Sequence, residues 1–264
     1  MEQTLTDIET RERIERMKAL YGKTTKHSHY QIMPDFLAEL VDPSTLNKKH
    51  SRFEKERMAY FTRHLDFGGK KVLDVGANTG FFSFGSVSAG ASKVVAVEGN
   101  AEHAEFLRTA AQLFHKPVEL VEGYLDFKGE IPGSPFDIVL LLNVLHHVGD
   151  DFGDRTITIA AAKQAIIDNL NYFADKTRYL VLQIGFSWKT NYDLPLFEQG
   201  TKAEMIAMFR EGIKDHWEEV AIGIPEVSDG VTQYHELSGD NVARIDALGE
   251  FRNRPVFILR SKLA

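Results

Sequence analysis

The chain has 264 residues, of which 43% are hydrophobic and 26% are charged, and its formal net charge at pH 7 is -7. This length and composition predict one globular domain with an accessory segment and argue against disorder. The acidic balance disfavours a surface built to neutralise phosphates, so nucleic acid is an unfavoured partner. The chain contains no cysteine, which excludes disulfides, thiolate nucleophiles and cysteine-ligated metal sites.

The first 69 residues are predicted to be mainly helical. Apolar residues recur at helical spacing over residues 6–20, a second helix is predicted over 34–41, and a third begins in the segment SRFEKERMAYF. Ser51 is the expected N-cap of that third helix, because Glu54 follows it three residues later. We therefore predict an N-terminal helical cap or lid over residues 1–69.

After Gly68 and Gly69, short β-branched runs alternate with helical segments. The predicted strands cover residues 72–75, 94–97, 118–121, 138–142, 179–183 and 219–222, with a last strand in RPVFILRS. The predicted helices cover residues 81–88, 101–115, 156–174 and 201–213. This alternation is typical of βαβ units and predicts a parallel sheet covered by helices on both faces.

The segment KVLDVGANTGFFSF, residues 71–84, contains a glycine-containing turn between a strand and a helix. The dinucleotide pattern G-x-G-x-x-G is not met, because Asn78 and Phe81 occupy the second and third glycine positions. No Gly-Lys-Ser/Thr follows, so the segment is not a P-loop. What remains is Asp-x-Gly-x-Asn-x-Gly after one strand, with Glu98 at the end of the next strand.

These residues resemble motif I, D/E-x-G-x-G-x-G, and the second-strand acidic residue of the class I S-adenosylmethionine-dependent methyltransferases. The resemblance is strong over residues 71–182. It implies a Rossmann-like α/β fold with a seven-stranded, mostly parallel sheet, a methyltransferase domain over residues 70–264, and S-adenosyl-L-methionine as the cofactor. Asn78 replaces the middle glycine, and asparagine adopts a left-handed backbone at modest cost.

The resemblance also implies which residues hold the cofactor. Glu98 would accept hydrogen bonds from both ribose hydroxyls, Asp74 would order the loop, and Asp126 would accept from the adenine amine beside Tyr124. The alternatives are a helix-capping carboxylate for Asp74 and a solvated strand end for Glu98. The expected cofactor-binding residues are Asp74, Gly76, Ala77, Asn78, Thr79, Gly80, Glu98, Gly99, Asn100, Tyr124, Asp126, Asn143 and Arg52.

The segment NVLHHVGDD follows the fourth strand, at the edge of the sheet where such folds bind ligands. We predict Asn143, His146 and His147 as catalytic residues, with one histidine as a general base toward an acceptor hydroxyl. The alternative is that one histidine packs beneath the cofactor and the other caps a helix. Nearby carboxylates in the acidic turn are typical of solvated caps, so no metal is predicted.

Two flanking regions are predicted to shape the acceptor pocket. The loop after the fifth strand is rich in aromatic residues, and the N-terminal helices could close over the site and exclude water. The expected acceptor-binding residues are Tyr30, Trp188, Tyr192 and Phe197. The alternative for the loop is simple packing against the sheet edge. Arg52 or Tyr30 could reach the carboxylate of the cofactor.

The function that best accounts for these features is methyl transfer to an oxygen or nitrogen of a small-molecule or sugar-containing acceptor. One alternative is an RNA-modifying methyl- or carboxymethyltransferase, for example one acting on the tRNA wobble uridine. Another is a cofactor-binding domain without catalysis. No apolar run reaches the roughly 18 residues of a membrane span, and no secretory signal is evident. We therefore expect a cytoplasmic enzyme with no membrane partner.

Overall fold

The computed structural model describes residues 7–22, 31–38 and 51–264. Within these ranges the α-helices are α1 (Asp7–Gly22), α2 (Asp35–Ala38), α3 (Glu54–His64), α4 (Phe81–Ser88), α5 (Ala101–Leu113), α6 (Ile159–Asn171) and α7 (Lys202–Ile213). The strands are β1 (Lys71–Val75), β2 (Lys93–Glu98), β3 (Val118–Glu122), β4 (Phe136–Leu142), β5 (Thr177–Gln183), β6 (Trp217–Ser228), β7 (Val231–Glu236) and β8 (Val256–Ser261). The predicted alternation of strands and helices is confirmed.

The strands form one sheet in the order β3-β2-β1-β4-β5-β8-β6-β7. The first five positions in this order are parallel, and β8 is antiparallel to β5. Val72 of β1 pairs with Val94 of β2 on one side and with Ile138 of β4 on the other. Because these strands run in the same direction, the loops that follow them meet at one edge of the sheet. The predicted Rossmann-like α/β architecture is therefore confirmed.

The sheet has eight strands, so the predicted number of seven was wrong. The additional strand is β7, which forms an antiparallel hairpin with β6 at the end of the sheet. Its sequence VTQYHE has only two strongly apolar residues, so the sequence predicts no strand there. Asp229 and Gly230 join the two strands with φ angles of 52° and 77°, which is the Asp-Gly turn that favours a tight hairpin.

Several predicted helix ends were also wrong. Helix α3 begins at Glu54, and its N-cap position is occupied by Phe53 with φ 63°, not by Ser51. The Ser51 hydroxyl instead donates to Oε2 of Glu54 at 2.9 Å and accepts from the Phe53 N–H at 3.0 Å. Helix α6 begins at Ile159, because the Thr158 side chain accepts from the N–H of Ala161 and caps it there. Residues 39–41 of the second predicted helix lie outside the described ranges.

Helices cover both faces of the sheet. On one face, Leu73 and Leu141 of the central strands pack with α6 and α7 residues in one apolar cluster. On the other face, Val72 and Ile138 pack with α3 residues and with the start of α4. Helix α1 lies along α5, and its Tyr21 ring is 5.6 Å from the Phe106 ring.

No helix within the described ranges has both the length and the apolar character needed to cross a membrane. The domain boundary at residues 69–70 stays a prediction.

One glycine sets how closely α3 approaches the sheet. Tyr60 of α3 is fully buried, and a Cβ atom added at Gly223 of β6 would lie 2.6 Å from its Cε1 atom. The Tyr60 hydroxyl lies 3.2 Å from both carboxylate oxygens of Glu236 on β7, which restricts the ring further. Close packing of α3 on the sheet therefore requires a residue without a side chain at position 223.

We predict that Gly223→Ala lowers the free energy of unfolding by about 1–3 kcal/mol, because the added methyl group forces Tyr60 to shift in a packed core. Chemical denaturation followed by circular dichroism measures the change. Gly239→Ala is the matched control, since a Cβ atom there meets nothing within 4 Å. Equal stability of the two variants would show that the Tyr60 contact does not constrain α3.

Candidate functional site

A cleft opens where the parallel strands end. Its volume is about 890 Å³ including the part open to solvent. The residues that line it are Gln31, Arg57, Val75, Gly76, Asn78, Phe82, Val97, Glu98, Gly99, Gly123, Tyr124, Leu125, Phe127, Leu142, Asn143, Val144, His147, Asp151, Phe152 and Phe251. They come from α3, from the start of α4, from the segments before α2 and before β8, and from the ends of β1, β2 and β4 and the loops after β1, β2, β3 and β4.

The loop after β1 makes a left-handed turn. Gly76, Asn78 and Gly80 have φ angles of 73°, 54° and 87°, so Asn78 adopts the conformation expected from the sequence. The N–H groups of Gly76 and Ala77 both donate to the carbonyl oxygen of Val97, which fixes the loop to β2. A Cβ atom at Gly76 would lie 2.7 Å from a methyl carbon of Val144. Glycine therefore keeps this side of the cleft open.

Glu98 joins the loops after β1 and β2. Its Oε2 atom accepts from the Asn78 N–H at 2.6 Å, and its Oε1 atom accepts from the Asn100 N–H at 2.8 Å. The side chain is only 7% exposed, so it is not a solvated strand end. Each carboxylate oxygen can accept a second hydrogen bond. Glu98 can therefore bind a pair of hydroxyl groups in the cleft while it holds both loops.

Asp74 lies behind the loop and does not line the cleft. Its side chain is 2% exposed, and its Oδ2 atom accepts from the Ser83 hydroxyl at 2.6 Å. Burial raises the pKa of Asp74 to about 7, the Ser83 hydrogen bond opposes this increase, and the charge of Glu98 adds to it. The carboxyl group connects β1 to α4. Its contact is consistent with the expected ordering of the loop, and a hydrogen bond from the backbone of Ser83, in the first turn of α4, is consistent with the alternative of a helix-capping carboxylate.

The loops after β2 and β3 form one end of the cleft. The Tyr124 ring lies so close to Gly99 that a Cβ atom there would be 2.4 Å from its Cε1 atom. Asp126 does not line the cleft: it is exposed, and its Oδ1 atom accepts from the Lys128 N–H at 3.0 Å. Asn100 caps α5 with its side chain. Apolar side chains, including Phe127, complete this end of the cleft.

The two adjacent histidines have different positions. His146 is 2% exposed, and its Nδ1 atom accepts from the Gly185 N–H at 3.3 Å, which connects the loops after β4 and β5. His147 lines the cleft, and its Nδ1 atom is 3.3 Å from Oδ2 of Asp151. Only one histidine of the pair thus faces the space where a ligand would bind.

Carboxylates surround His147. Potential ligand atoms of His147, Asp150 and Asp151 lie within 4.8 Å of one another. Asp154, the next acidic residue of the turn, accepts from the N–H and the hydroxyl of Thr156 at 2.8 and 2.7 Å, and these bonds lower the pKa of Asp154. Asp154 therefore stabilises the turn before α6.

Asn143 lies at the centre of a buried polar network. Its φ angle is 60°, and its Nδ2 atom donates to Oε1 of Gln183 at 3.1 Å. Its Oδ1 atom accepts from Nη1 of Arg254 at 2.8 Å, and Arg254 also forms an ion pair with Glu250 at 2.7 Å. Both functional groups of the Asn143 amide are thus bound to protein atoms. The side chain forms a rigid part of the cleft rather than a free catalytic group.

Several predicted site residues are not brought to the cleft. Trp188 is buried and its Nε1 atom donates to the Val148 carbonyl at 2.6 Å, Phe197 packs against the ring of Phe186, and Tyr192 is 74% exposed. This arrangement agrees with the alternative that the loop after β5 packs on the fold. Predicted residues outside the cleft lining also include Ala77, Thr79, Gly80 and Arg52. Tyr30 lies outside the described residues.

The sequence analysis does not predict five residues that line the cleft or belong to its polar network: Gln31, Arg57, Gln183, Phe251 and Arg254. The guanidinium of Arg57 lies in the cleft, whereas that of Arg52 stacks on the Phe251 ring at 5.5 Å. Gln183 was detectable as a polar residue that closes an apolar strand. The others come from distant segments, so no local pattern identifies them.

Comparisons with known proteins agree on the chemistry of this domain. A methyltransferase-domain family model matches residues 73–164. The histone-arginine methyltransferases CARMER of Drosophila ananassae and Drosophila virilis are 30% identical over 113 residues, which is 42% of this chain and 21% of each relative. The matched region is thus about a fifth of the length of these relatives.

A similar fold occurs among solved structures. Monomeric WbdD aligns over 92% of this chain and 48% of its own, with 17% identity and a TM-score of 0.57. The bifunctional kinase-methyltransferase WbdD gives a TM-score of 0.55 at the same identity, over 92% of this chain and 46% of its own. At this identity the likeness concerns the fold alone. The family-model match shows that residues 73–164 match a methyltransferase domain, and the structural likeness shows that the chain has the fold of the methyltransferase structures.

Proposed function

We propose that the protein binds S-adenosyl-L-methionine and transfers a methyl group to an oxygen or nitrogen of a small-molecule or sugar-containing acceptor. The observation that carries this proposal is the carboxylate of Glu98, which is buried at the end of β2 and faces a cleft beside the left-handed loop. A carboxylate in this position suits the two hydroxyl groups of a ribose. It would repel the phosphates of a nucleotide.

The residues of the cleft fit this cofactor. Added Cβ atoms at Gly76 and Gly99 would lie in close contact with neighbouring side chains. At these two positions the backbone itself therefore forms the surface of the cleft. Glu98 would hold the ribose, and Tyr124 with the apolar residues beside it would enclose the adenine. When bound, S-adenosylmethionine supplies a methyl group on a positively charged sulfur, which an acceptor can attack in line. The protein contributes mainly by holding the two reactants in that alignment.

Of the two candidate bases, we assign proton removal to His147. It lines the cleft, and the carboxylate of Asp151 near its Nδ1 atom would stabilise the protonated ring. His146 is instead committed to the Gly185 N–H, so its role is to hold the loops after β4 and β5 together. Acceptors that carry a hydroxyl proton need such a base, whereas a neutral amine can lose its proton after transfer.

The proposal for the acceptor is based on the residues of the cleft and not on the names of the relatives. The Drosophila relatives are histone-arginine methyltransferases, and the solved structures include a bifunctional kinase-methyltransferase. Their names therefore do not agree on one acceptor. The cleft of this chain has aromatic and apolar surfaces with a few polar groups, which is the composition of a small-molecule site.

We predict that Glu98→Gln weakens binding of S-adenosylhomocysteine by about ten- to a hundredfold, because hydrogen bonds to a charged acceptor are worth about 1.5–3 kcal/mol. Isothermal titration calorimetry with the full chain measures this change. Glu122→Gln is the matched control: Glu122 is adjacent to Glu98 in the register of β3 but is exposed and paired with Arg108. Unchanged affinity in Glu98→Gln would remove the ribose assignment.

We predict that His147→Asn lowers kcat by about 10²–10⁴-fold toward a hydroxyl acceptor, with little change in affinity for S-adenosylhomocysteine. Transfer of labelled methyl groups to a panel of hydroxylated metabolites and sugars measures turnover.

His146→Asn tests the structural role of the other histidine. Because it loses a contact between loops, we expect a lower melting temperature with turnover retained at a temperature where the variant is folded. Full activity of His147→Asn on every hydroxyl acceptor that the wild type methylates would contradict the base assignment.

A further inference from the structure

His103 is a buried histidine beside the cleft to which the proposed reaction assigns no role. It lies in the first turn of α5, it is only 5% exposed, and it is outside the cleft lining. A desolvated ring nitrogen is costly unless it has a hydrogen-bond partner. The partners of His103 therefore indicate what this residue does.

Hydrogen bonds join His103 to the loops that shape the cleft. Glu98 accepts from the N–H groups of Asn78 and Asn100 at 2.6 and 2.8 Å. The Oδ1 atom of Asn100 accepts from the His103 N–H at 3.1 Å. The Nδ2 atom of Asn78 lies 3.3 Å from Nδ1 of His103. These contacts form a closed ring through the loop after β1, the end of β2 and the start of α5.

The orientation of the Asn78 amide decides which atom donates to the other in its contact with His103. The Oδ1 atom of Asn78 accepts from the Thr79 N–H at 2.9 Å, and a backbone N–H can only donate. The other branch of the amide is therefore the NH₂ group, and it faces Nδ1 of His103. That nitrogen must accept, so the closed ring requires the neutral imidazole with its proton on Nε2.

Protonation of His103 is incompatible with this arrangement. A proton on Nδ1 would point one donor at another, so the hydrogen bond from Asn78 would be lost. Oε1 of Glu98 lies 3.8 Å from the same nitrogen. A charged imidazole is attracted to a carboxylate at this distance, and a small rotation of the ring would bring the two into contact. The protonated ring then competes for the carboxylate that is proposed to bind the ribose hydroxyls.

Other charged groups near α5 are bound to one another or lie farther away. Within the described ranges the elements packed against α5 are α1, β2 and β3. Glu105 of α5 binds Arg16 of α1 at 2.8 Å, and Glu122 of β3 binds Arg108 of α5 at 2.7 Å. The remaining charged groups on this side are Glu98 of β2, Arg13 of α1, which contacts Gln112, and Glu102, which precedes His103.

One further carboxyl group titrates in the same pH range. Asp74 lies behind the loop after β1, and burial raises its pKa to about 7. Its protonation can also affect the loop, but it does so equally in the wild type and in variants of His103. The contribution of His103 is therefore measured as a difference between variants.

We infer that His103 is a positioning residue that makes cofactor binding depend on the protonation of its ring. The neutral ring holds the Asn78 side chain and leaves the Glu98 carboxylate to the cofactor, whereas the protonated ring draws that carboxylate away. This inference rests on the proposed function and adds a pH dependence to it. Asn78 replaces the middle glycine of the motif, and glycine has no amide for this contact.

The test is isothermal titration calorimetry of S-adenosylhomocysteine with the full chain at about pH 8 and about pH 5.5. The measured quantity is the ratio of the affinity at the higher pH to that at the lower pH. His103→Asn does not titrate, and its amide oxygen can accept from Asn78 in place of Nδ1. Because an imidazole in water titrates near pH 6.5, we expect a ratio about tenfold larger in the wild type than in this variant.

A second variant changes the partner of the ring. Asn78→Asp keeps an oxygen that accepts from the Thr79 N–H and turns the donor that faces Nδ1 into an acceptor. The protonated ring then keeps its partner, so the ratio falls toward that of His103→Asn.

His115→Asn is the matched control. His115 is exposed just after α5, and its φ angle of 48° is one that asparagine tolerates. We expect this variant to have the ratio of the wild type. Thermal unfolding at both pH values confirms that each chain is folded.

The inference is overturned if the wild type has the same affinity at both pH values. It is also overturned if folded His103→Asn or folded Asn78→Asp keeps the full ratio of the wild type. In these cases the ligand still binds, so the proposed function stands. A wild type that does not bind S-adenosylhomocysteine at either pH would instead refute the proposed function, and the role of His103 with it.

Discussion

The cleft depends on one carboxylate that joins two loops. Glu98 ends a buried strand, and its two oxygens accept from the N–H groups of Asn78 and Asn100. The loop after β1 and the first turn of α5 are thereby fixed relative to each other. Because the carboxylate is buried, each of these bonds is stronger than it would be in water. The same group that shapes the cleft is then the one best placed to bind a ligand.

A second polar network contributes Arg57 and Asn143 to the lining of the cleft. Gln183 at the end of β5 binds Arg57 and Asn143 through one oxygen, and its amide nitrogen donates to the Arg254 carbonyl at 3.2 Å. These residues come from α3, β5 and the segments after β4 and before β8. Hydrogen bonds among several members of one network restrict the rotation of each side chain. The cleft is thus lined by residues of two pre-organised polar groups, one around Glu98 and one around Gln183.

Sequence patterns predicted the strands of the central sheet, because buried parallel strands are continuous apolar runs. They also predicted the left-handed turn at Asn78, since few other residues tolerate that backbone. They failed at β7, whose polar face is exposed and gives a weak pattern. They also failed to find the pair formed by Asn143 and Arg254, which are 111 residues apart. Contacts of this kind depend on the topology of the sheet and leave no local signal.

The most direct test of this account is a crystal structure of the full chain with S-adenosylhomocysteine. The account predicts that both ribose hydroxyls donate to the carboxylate of Glu98 while its bonds to the Asn78 and Asn100 N–H groups persist. It also predicts the thioether sulfur near the end of β4, beside Asn143. A ligand bound elsewhere, or a ribose held by other groups with Glu98 turned away, would contradict it.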